Sequence, residues 1–239
     1  MKNRNINIKT ALVAMALTGV MGCEKLKDFG TTNVNPGAIS TPTDYALLTS
    51  VESGTDVNSG ISTYVVDASL APSAWIQHTS QTQYPNTGVY DVTTTYYGIG
   101  AYTGSLLNLR TIINNSSTPD IIAAARILTS YIYWKLTDKL GDIPYSQAFI
   151  SKTPAYDKQE DIYKGIIKEL KAAKAQFQNN GSLKGDILNN NNVPQWIKFA
   201  NSIRAMMAIQ LTKRYPGATD YAATEFKAAL ADGVITGQC

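Results

Sequence analysis

Residues 134–149 read WKLTDKLGDIPYSQAF. A strongly apolar helical run stops at Gly141, and the chain turns through Asp142, Ile143, Pro144 and Tyr145. Upstream, Thr118 reads as the N-cap and Pro119 as the first helical residue. Ile121, Ala125, Leu128, Ile132 and Leu136 then recur at helical spacing. Gly141 supplies the left-handed position that ends the helix, and Pro144 fixes φ and forbids its continuation. Downstream, Asp157 and Glu160 form a capping box for a second helix whose face is Ile162, Ile166, Leu170, Ala173 and Phe177. The stretch is therefore an ordered corner between two long helices. Ile143 and Tyr145 are expected to pack back between neighbouring helices, and Asp142 to accept loop N–H bonds.

The same spacing extends outward. Trp196, Phe199, Ile203, Met207 and Leu211 define a third long helix ending at Pro216-Gly217. TDYAATEFKAALADG is a short last helix closed by Gly233. On the N-terminal side, Thr43 to Val51 and Tyr97 to Ile113 read as helices, the latter through Ala101, Leu106, Leu109 and Ile113. Pro72 opens a helix turn through Trp75, Ile76 and His78. Residues 52–60 and 79–95 have no period and read as loops. The fold class is mainly α, a tetratricopeptide-like helix–turn–helix array without that repeat's strict signature. Leu128, Ile132, Ile166, Leu170, Trp196, Phe199 and Ile203 form its expected core.

The beginning of the chain is different. Residues 1–22 contain Lys2, Arg4 and Lys9 and no acid, followed by the apolar run ALVAMALTGVMGC. At about ten apolar residues the run is too short to span a bilayer. It ends Val20-Met21-Gly22-Cys23, a small residue before a Cys, which is the bacterial lipobox. Residues 1–22 read as a lipoprotein signal peptide, Cys23 as the acylated new N-terminus, and 23–42 as a flexible polar tether. The helical domain is expected to occupy 43–239. Cys239 then has no partner, and no intrachain disulfide is expected.

Composition narrows function. The 239-residue chain is 44% hydrophobic and 16% charged, with a net charge of +3. Without the three leader cations, 18 basic residues face 18 acidic ones. A neutral, amide- and tyrosine-rich surface suits neutral ligands and excludes a nucleic-acid binder, which needs a concentrated basic face. His78 is the only histidine, so His-based metal sites are excluded. No G-x-S-x-G or P-loop occurs. DILNNNN at 186–192 looks like an oxygen-rich calcium loop, but Leu188 stands at a ligand position and the glycine is missing. Asp157, Glu160 and Asp161, and separately Asp138 and Asp142, are close enough in sequence to suggest paired acids for glycoside hydrolysis. Capping and turn formation explain both groups.

GDIPYSQAF followed by TPAYDKQEDIYKGIIKEL resembles the SusD/RagB family of outer-membrane nutrient-binding lipoproteins, in particular its SusD-like branch described as starch-binding and associating with the outer membrane. NVNPGAISTP, WIQHTSQTQY, YGIGAYTGSLLNLRTII and QWIKFANSIRAMMAIQL are similar to further family segments, in order. The resemblance implies a lid on a TonB-dependent SusC-like outer-membrane transporter, binding an oligosaccharide or other nutrient, with no bond chemistry and no cofactor. Family members are longer, so the chain is expected to hold only the N-terminal part of the fold. Sugar binding needs aromatic faces and amides. Residues 75–97 offer the best supply, and Trp75, His78, Gln81, Tyr84, Tyr90 and Tyr96 are the candidate ligand contacts. Trp75 and His78 also suit a helix core, and Tyr84 and Tyr90 suit loop wedges. A helical scaffold that grips a protein or peptide without binding sugar is the alternative.

Overall fold

Leu128, Ile132, Ile166, Leu170, Trp196 and Ile203 meet away from solvent, each 0% exposed. The structure, a computed structural model, describes residues 43–53, 77 and 99–237. Within them are seven α-helices: α1 (Asp44–Ser53), α2 (Ile99–Thr103), α3 (Ser105–Asn115), α4 (Pro119–Leu140), α5 (Gln159–Gln176), α6 (Val193–Gln210) and α7 (Tyr221–Ala231). A 3-10 turn, Leu211–Lys213, continues α6. No strand forms among the described residues, only an isolated antiparallel bridge between Ile143 and Asp157.

Each helix packs mainly on its neighbour in the chain, so α1, α3, α4, α5, α6 and α7 form a sequential array. The apolar stripe of α4 is wide because it is covered from both sides. Ile121, Ala125, Leu128, Ile132 and Leu136 are all buried, and so are Ala124, Ile127 and Trp134. Burying a large aliphatic side chain here contributes about 1.5–3 kcal/mol. Phe199, expected in this core, is only partly buried and packs against its edge. The expected helix over 97–113 is broken at Gly104, which ends α2 and precedes α3. Ile112 rather than Ile113 is the buried residue of its last turn.

The corner is built as a network. Gly141 takes φ +74 and ψ −123, a region almost closed to residues with a Cβ. Its N–H donates to the Thr137 carbonyl at 2.8 Å, and Thr137 Oγ1 donates back to the Gly141 carbonyl at 2.6 Å. Ile143 is 2% exposed. Tyr145 stands edge-on to Tyr133, with ring centroids 4.9 Å apart. It also explains a glycine inside α5: a Cβ on Gly165 would lie 2.9 Å from the Tyr145 ring.

The capping box does not form. Asp157 turns away from α5 and accepts from Tyr145 N (3.0 Å), Ser146 N (2.7 Å) and Ser146 Oγ (2.7 Å). The N-cap position of α5 is Lys158, and the Gln159 N–H is instead taken by Asp142 Oδ1 at 2.9 Å. Glu160 contacts Lys164, Arg214 and Tyr215. The corner carboxylate wins because the turn offers Asp157 three donors at once, whereas one helix N–H is all the box would have given it.

At the far end, Arg204 is 1% exposed inside α6. It donates to Asn201 Oδ1 (3.1 Å), Asp232 Oδ2 (2.8 Å) and Glu225 Oε2 (3.2 Å). Asn201 Nδ2 donates to the carbonyls of Asp232 (3.1 Å) and Gly233 (2.8 Å), closing the C-terminus of α7. Buried charge survives there because it is paired and hydrogen-bonded.

Candidate functional site

Two concave surfaces lie beside the interhelical loops. The first belongs to the asparagine loop between α5 and α6. Asn179, Gly181, Gly185, Asn190 and Asn191 all have positive φ, the backbone region that Gly and Asn tolerate best. Three acids anchor the loop from inside. Asp120, in the first turn of α4, accepts from Gln178 N (2.6 Å), Asn180 N (3.4 Å) and Ser182 Oγ (3.2 Å). Asp186 Oδ1 accepts from Leu188 N (3.0 Å) and Asn189 N (2.9 Å). Its Oδ2 accepts from Asn191 N and Trp196 Nε1, both at 2.8 Å. Glu52 Oε2, from α1, accepts from Ile187 N (2.7 Å) and Leu188 N (3.3 Å).

Asp186 thus faces N–H donors, so its oxygens hold a loop where the sequence suggested a cation. No group of three or more His, Cys, Asp or Glu side chains among the described residues is placed to hold a metal. Glu52 Oε1 is buried without a hydrogen-bond partner. Burial, opposed by the loop N–H bonds and reinforced by the Asp186 charge, pushes the Glu52 carboxyl up to about 8. Glu52 is therefore mainly protonated at neutral pH.

Outside this anchor the surface opens into a groove of about 600 Å³, lined by Leu188, Asn189, Asn190, Asn192, Gln195, Lys198, Phe199 and residues 235–237. Lys198 is its one charged residue. Phe199 is held by Trp196 and Tyr131, each with its ring centroid 6.0 Å away. Asn192 Oδ1 caps α6 by accepting from Gln195 N at 3.2 Å. The groove offers carboxamides and one aromatic ring, which hydrogen-bond hydroxyls and stack on an apolar sugar face.

The second concavity, about 290 Å³, lies against the corner and is lined by residues of α3, α4 and the loop after Tyr145. Arg110 and Asn114 come from α3, Thr129 and Tyr133 from α4, and Phe149 and Ile150 from the loop. The Arg110 guanidinium carbon lies 5.3 Å from the centre of the Phe149 ring, and Nη1 donates to the Ala148 carbonyl at 3.2 Å.

Trp75, His78, Gln81, Tyr84, Tyr90 and Tyr96 lie outside the described residues, as does Cys23. Gln77 alone of that stretch is described; it is an exposed turn residue at φ +59 rather than helical. The suspected acid groups are separately occupied. Asp138 accepts from Tyr163 and from Gln210 Nε2, while Asp142 and Asp157 hold the corner. Sequence reasoning missed Asn190, Gln195 and Phe199 as lining residues. The asparagine run at 189–192 is the signal the sequence carries for them.

Residues 36–238 match the family model SusD-like, described as starch-binding and associating with the outer membrane. Among solved structures, the chain is similar to a SusD-like protein of Bacteroidetes AC2a. The identity is 32%, the TM-score 0.66, and the match covers 81% of this chain and 38% of the other. It is similar also to a chitin-binding protein, at 28% identity and TM-score 0.67, over 81% of this chain and 44% of that one. A third likeness is a SusD homologue of Bacteroides fragilis NCTC 9343, at 28% identity and TM-score 0.62, over 83% and 42% of the two chains. The chain thus spans about two-fifths of the length of these relatives. Comparison with curated proteins returns no match.

Proposed function

The chain belongs to the SusD-like family of starch-binding, outer-membrane-associating proteins, and from that premise we propose that it is a surface lipoprotein that captures a glycan for uptake. The observation that carries this reading is the family match over residues 36–238. The groove beside the asparagine loop supports it with suitable chemistry, since carboxamides and the Phe199 ring line it with a single charge. A relative titled chitin-binding makes a neutral polysaccharide the first ligand class to try.

In this reading Cys23 carries the lipid anchor and residues 23–42 tether the domain to the outer membrane. No helix among the described residues is long and apolar enough to cross a membrane, and several acyl chains anchor firmly where one would not. The domain acts as the lid of a TonB-dependent SusC-like transporter and hands over the nutrient as it hinges. Trp75, His78, Gln81, Tyr84, Tyr90 and Tyr96 supply further ligand contacts. No bond is made or broken and no cofactor is used.

Isothermal titration with maltoheptaose and chitohexaose tests capture. Expected is measurable binding of at least one, weakened several-fold by Tyr84→Ala or Tyr90→Ala with the circular dichroism unchanged. No binding of any glycan, neutral or acidic, refutes the reading. Met206 and Ile209, 44% and 54% exposed on α6, favour a second reading, a helical scaffold for a protein partner. Partner capture that persists without any glycan binding would select it. Cys23→Ser is expected to release the protein from the membrane fraction.

A further inference from the structure

Two side chains that line the corner concavity carry hydrogen-bond donors, the Tyr133 hydroxyl and the Arg110 guanidinium. Tyr133 is 6% exposed and lines the concavity. A buried Tyr hydroxyl usually finds a partner. Burial holds the Tyr133 phenol well above its ordinary range, so it remains a proton donor at neutral pH. Arg110 is the second group. Its guanidinium stacks on Phe149 and spends Nη1 on the Ala148 carbonyl, and no carboxylate among the described residues pairs with it. Asp157 of the corner is already occupied by Tyr145 and Ser146.

The backbone is distorted to make this arrangement. Phe149 adopts φ +62, an uncommon conformation for a bulky residue. That conformation is locked by Ile150 N and Ser151 N donating to the Gln147 carbonyl at 3.1 and 3.2 Å. It places the Phe149 ring against Tyr102, with centroids 6.0 Å apart, and beneath the guanidinium. The ring faces the cation, whose fork of N–H donors suits a planar acceptor. Asn114, exposed on the next turn of α3, adds an amide at the rim.

We propose that this niche binds the carboxylate of an acidic sugar, a uronate unit of an oligosaccharide, with Arg110 and the Tyr133 hydroxyl as its donors. A carboxylate satisfies both groups: its two oxygens accept from the guanidinium fork and from the phenol. The Phe149 and Ile150 side chains offer an apolar wall to the sugar ring. A niche of about 290 Å³ admits one sugar unit of a longer chain. This inference rests on the reading that the protein captures glycans, but it concerns a different surface from the asparagine-loop groove.

The test compares trigalacturonate with maltoheptaose in calorimetric titrations of the purified protein. Trigalacturonate is expected to bind, more weakly as ionic strength rises. Arg110→Gln lowers that affinity by about tenfold or more, Arg110→Lys by less, and Tyr133→Phe several-fold. Thermal melts check that each variant folds, and Tyr133→Phe keeps the ring and its packing. Binding of maltoheptaose stays unchanged in all three. If trigalacturonate does not bind, or binds Arg110→Gln as well as the parent, the niche assignment is overturned while maltoheptaose binding still supports capture of neutral glycans. Equal binding of triglycine, through its C-terminal carboxylate, overturns the assignment to a sugar. Failure of trigalacturonate together with maltoheptaose and chitohexaose overturns the niche and the glycan reading together.

Discussion

The corner at 141–158 and the asparagine loop at 177–192 join consecutive long helices, and both hang from carboxyl groups that collect backbone N–H bonds. The corner uses Asp157 and Asp142, at the surface. The asparagine loop uses Asp120, Asp186 and Glu52, which are 0%, 5% and 7% exposed. The device is the same, but its setting reverses its response to pH. Desolvation, the largest single influence, raises the Asp157 carboxyl, but the hydrogen bonds from Ser146 and Tyr145 together outweigh it and hold the carboxyl below its usual value. Burial dominates at Glu52 and raises it to about 8. The corner is therefore expected to loosen in acid and the loop in base. Where N–H bonds meet a wet carboxylate they select its charge, and where the same bonds are buried, desolvation decides.

Among substitutions, the largest break in the contrast is Asp186→Ala. Asn189 N, Asn191 N and the indole of the fully buried Trp196 lose their acceptor, and Leu188 N keeps only its longer bond to Glu52. The expected loss is about 3–5 kcal/mol of unfolding free energy in urea titrations. A loss below about 1 kcal/mol would mean that the loop is held by packing alone.

Next is the pH response of Glu52. Its folded value of about 8 exceeds the ordinary 4.5, so the folded state keeps a proton that the unfolded chain has released. Stability is full below about 4.5 and falls as pH rises toward about 8, by about 5 kcal/mol. Glu52→Gln is expected to remove most of that slope, because Gln is neutral and still accepts the loop N–H bonds. An unaltered slope in the variant would assign the effect elsewhere.

Gly141→Ala tests the corner's backbone rather than its carboxylates. A Cβ there would touch nothing within 4 Å, so the whole cost is conformational, about 1–2 kcal/mol. An unchanged melting temperature would mean that the corner relaxes freely. The smallest effect belongs to Asp157→Ala, about 1 kcal/mol, since its donors can turn to water. Its contribution is present above the ordinary carboxylate range and disappears as pH falls through the lowered folded value. Parent and variant should therefore converge in acid, opposite to the Glu52 pair. If both pairs converge at the same end of the pH range, the comparison fails.

The sequence by itself determined the helices, their order and most of the core. Thr118-Pro119, Gly141 and Gly233 bound helices where expected, and six of the seven chosen core residues are fully enclosed. Periodicity and chain-stopping residues act within a few positions, so local chemistry suffices to read them. The order of family-like segments also pointed correctly to the SusD-like family. Tertiary structure alone decided how the polar residues are used. Asp157 and Glu160 have the spacing of a capping box, yet Asp157 serves Tyr145 and Ser146 across the corner. Phe199 has core spacing, yet lies at the rim of a groove. Glu52 looks like a surface acid at the end of a short helix, yet it is buried against Asp186, far away in the chain. An apolar side chain gains by any burial, so its periodicity tells its fate. A polar one follows whichever donor or acceptor the fold brings nearest, and those partners are set by contacts between distant segments.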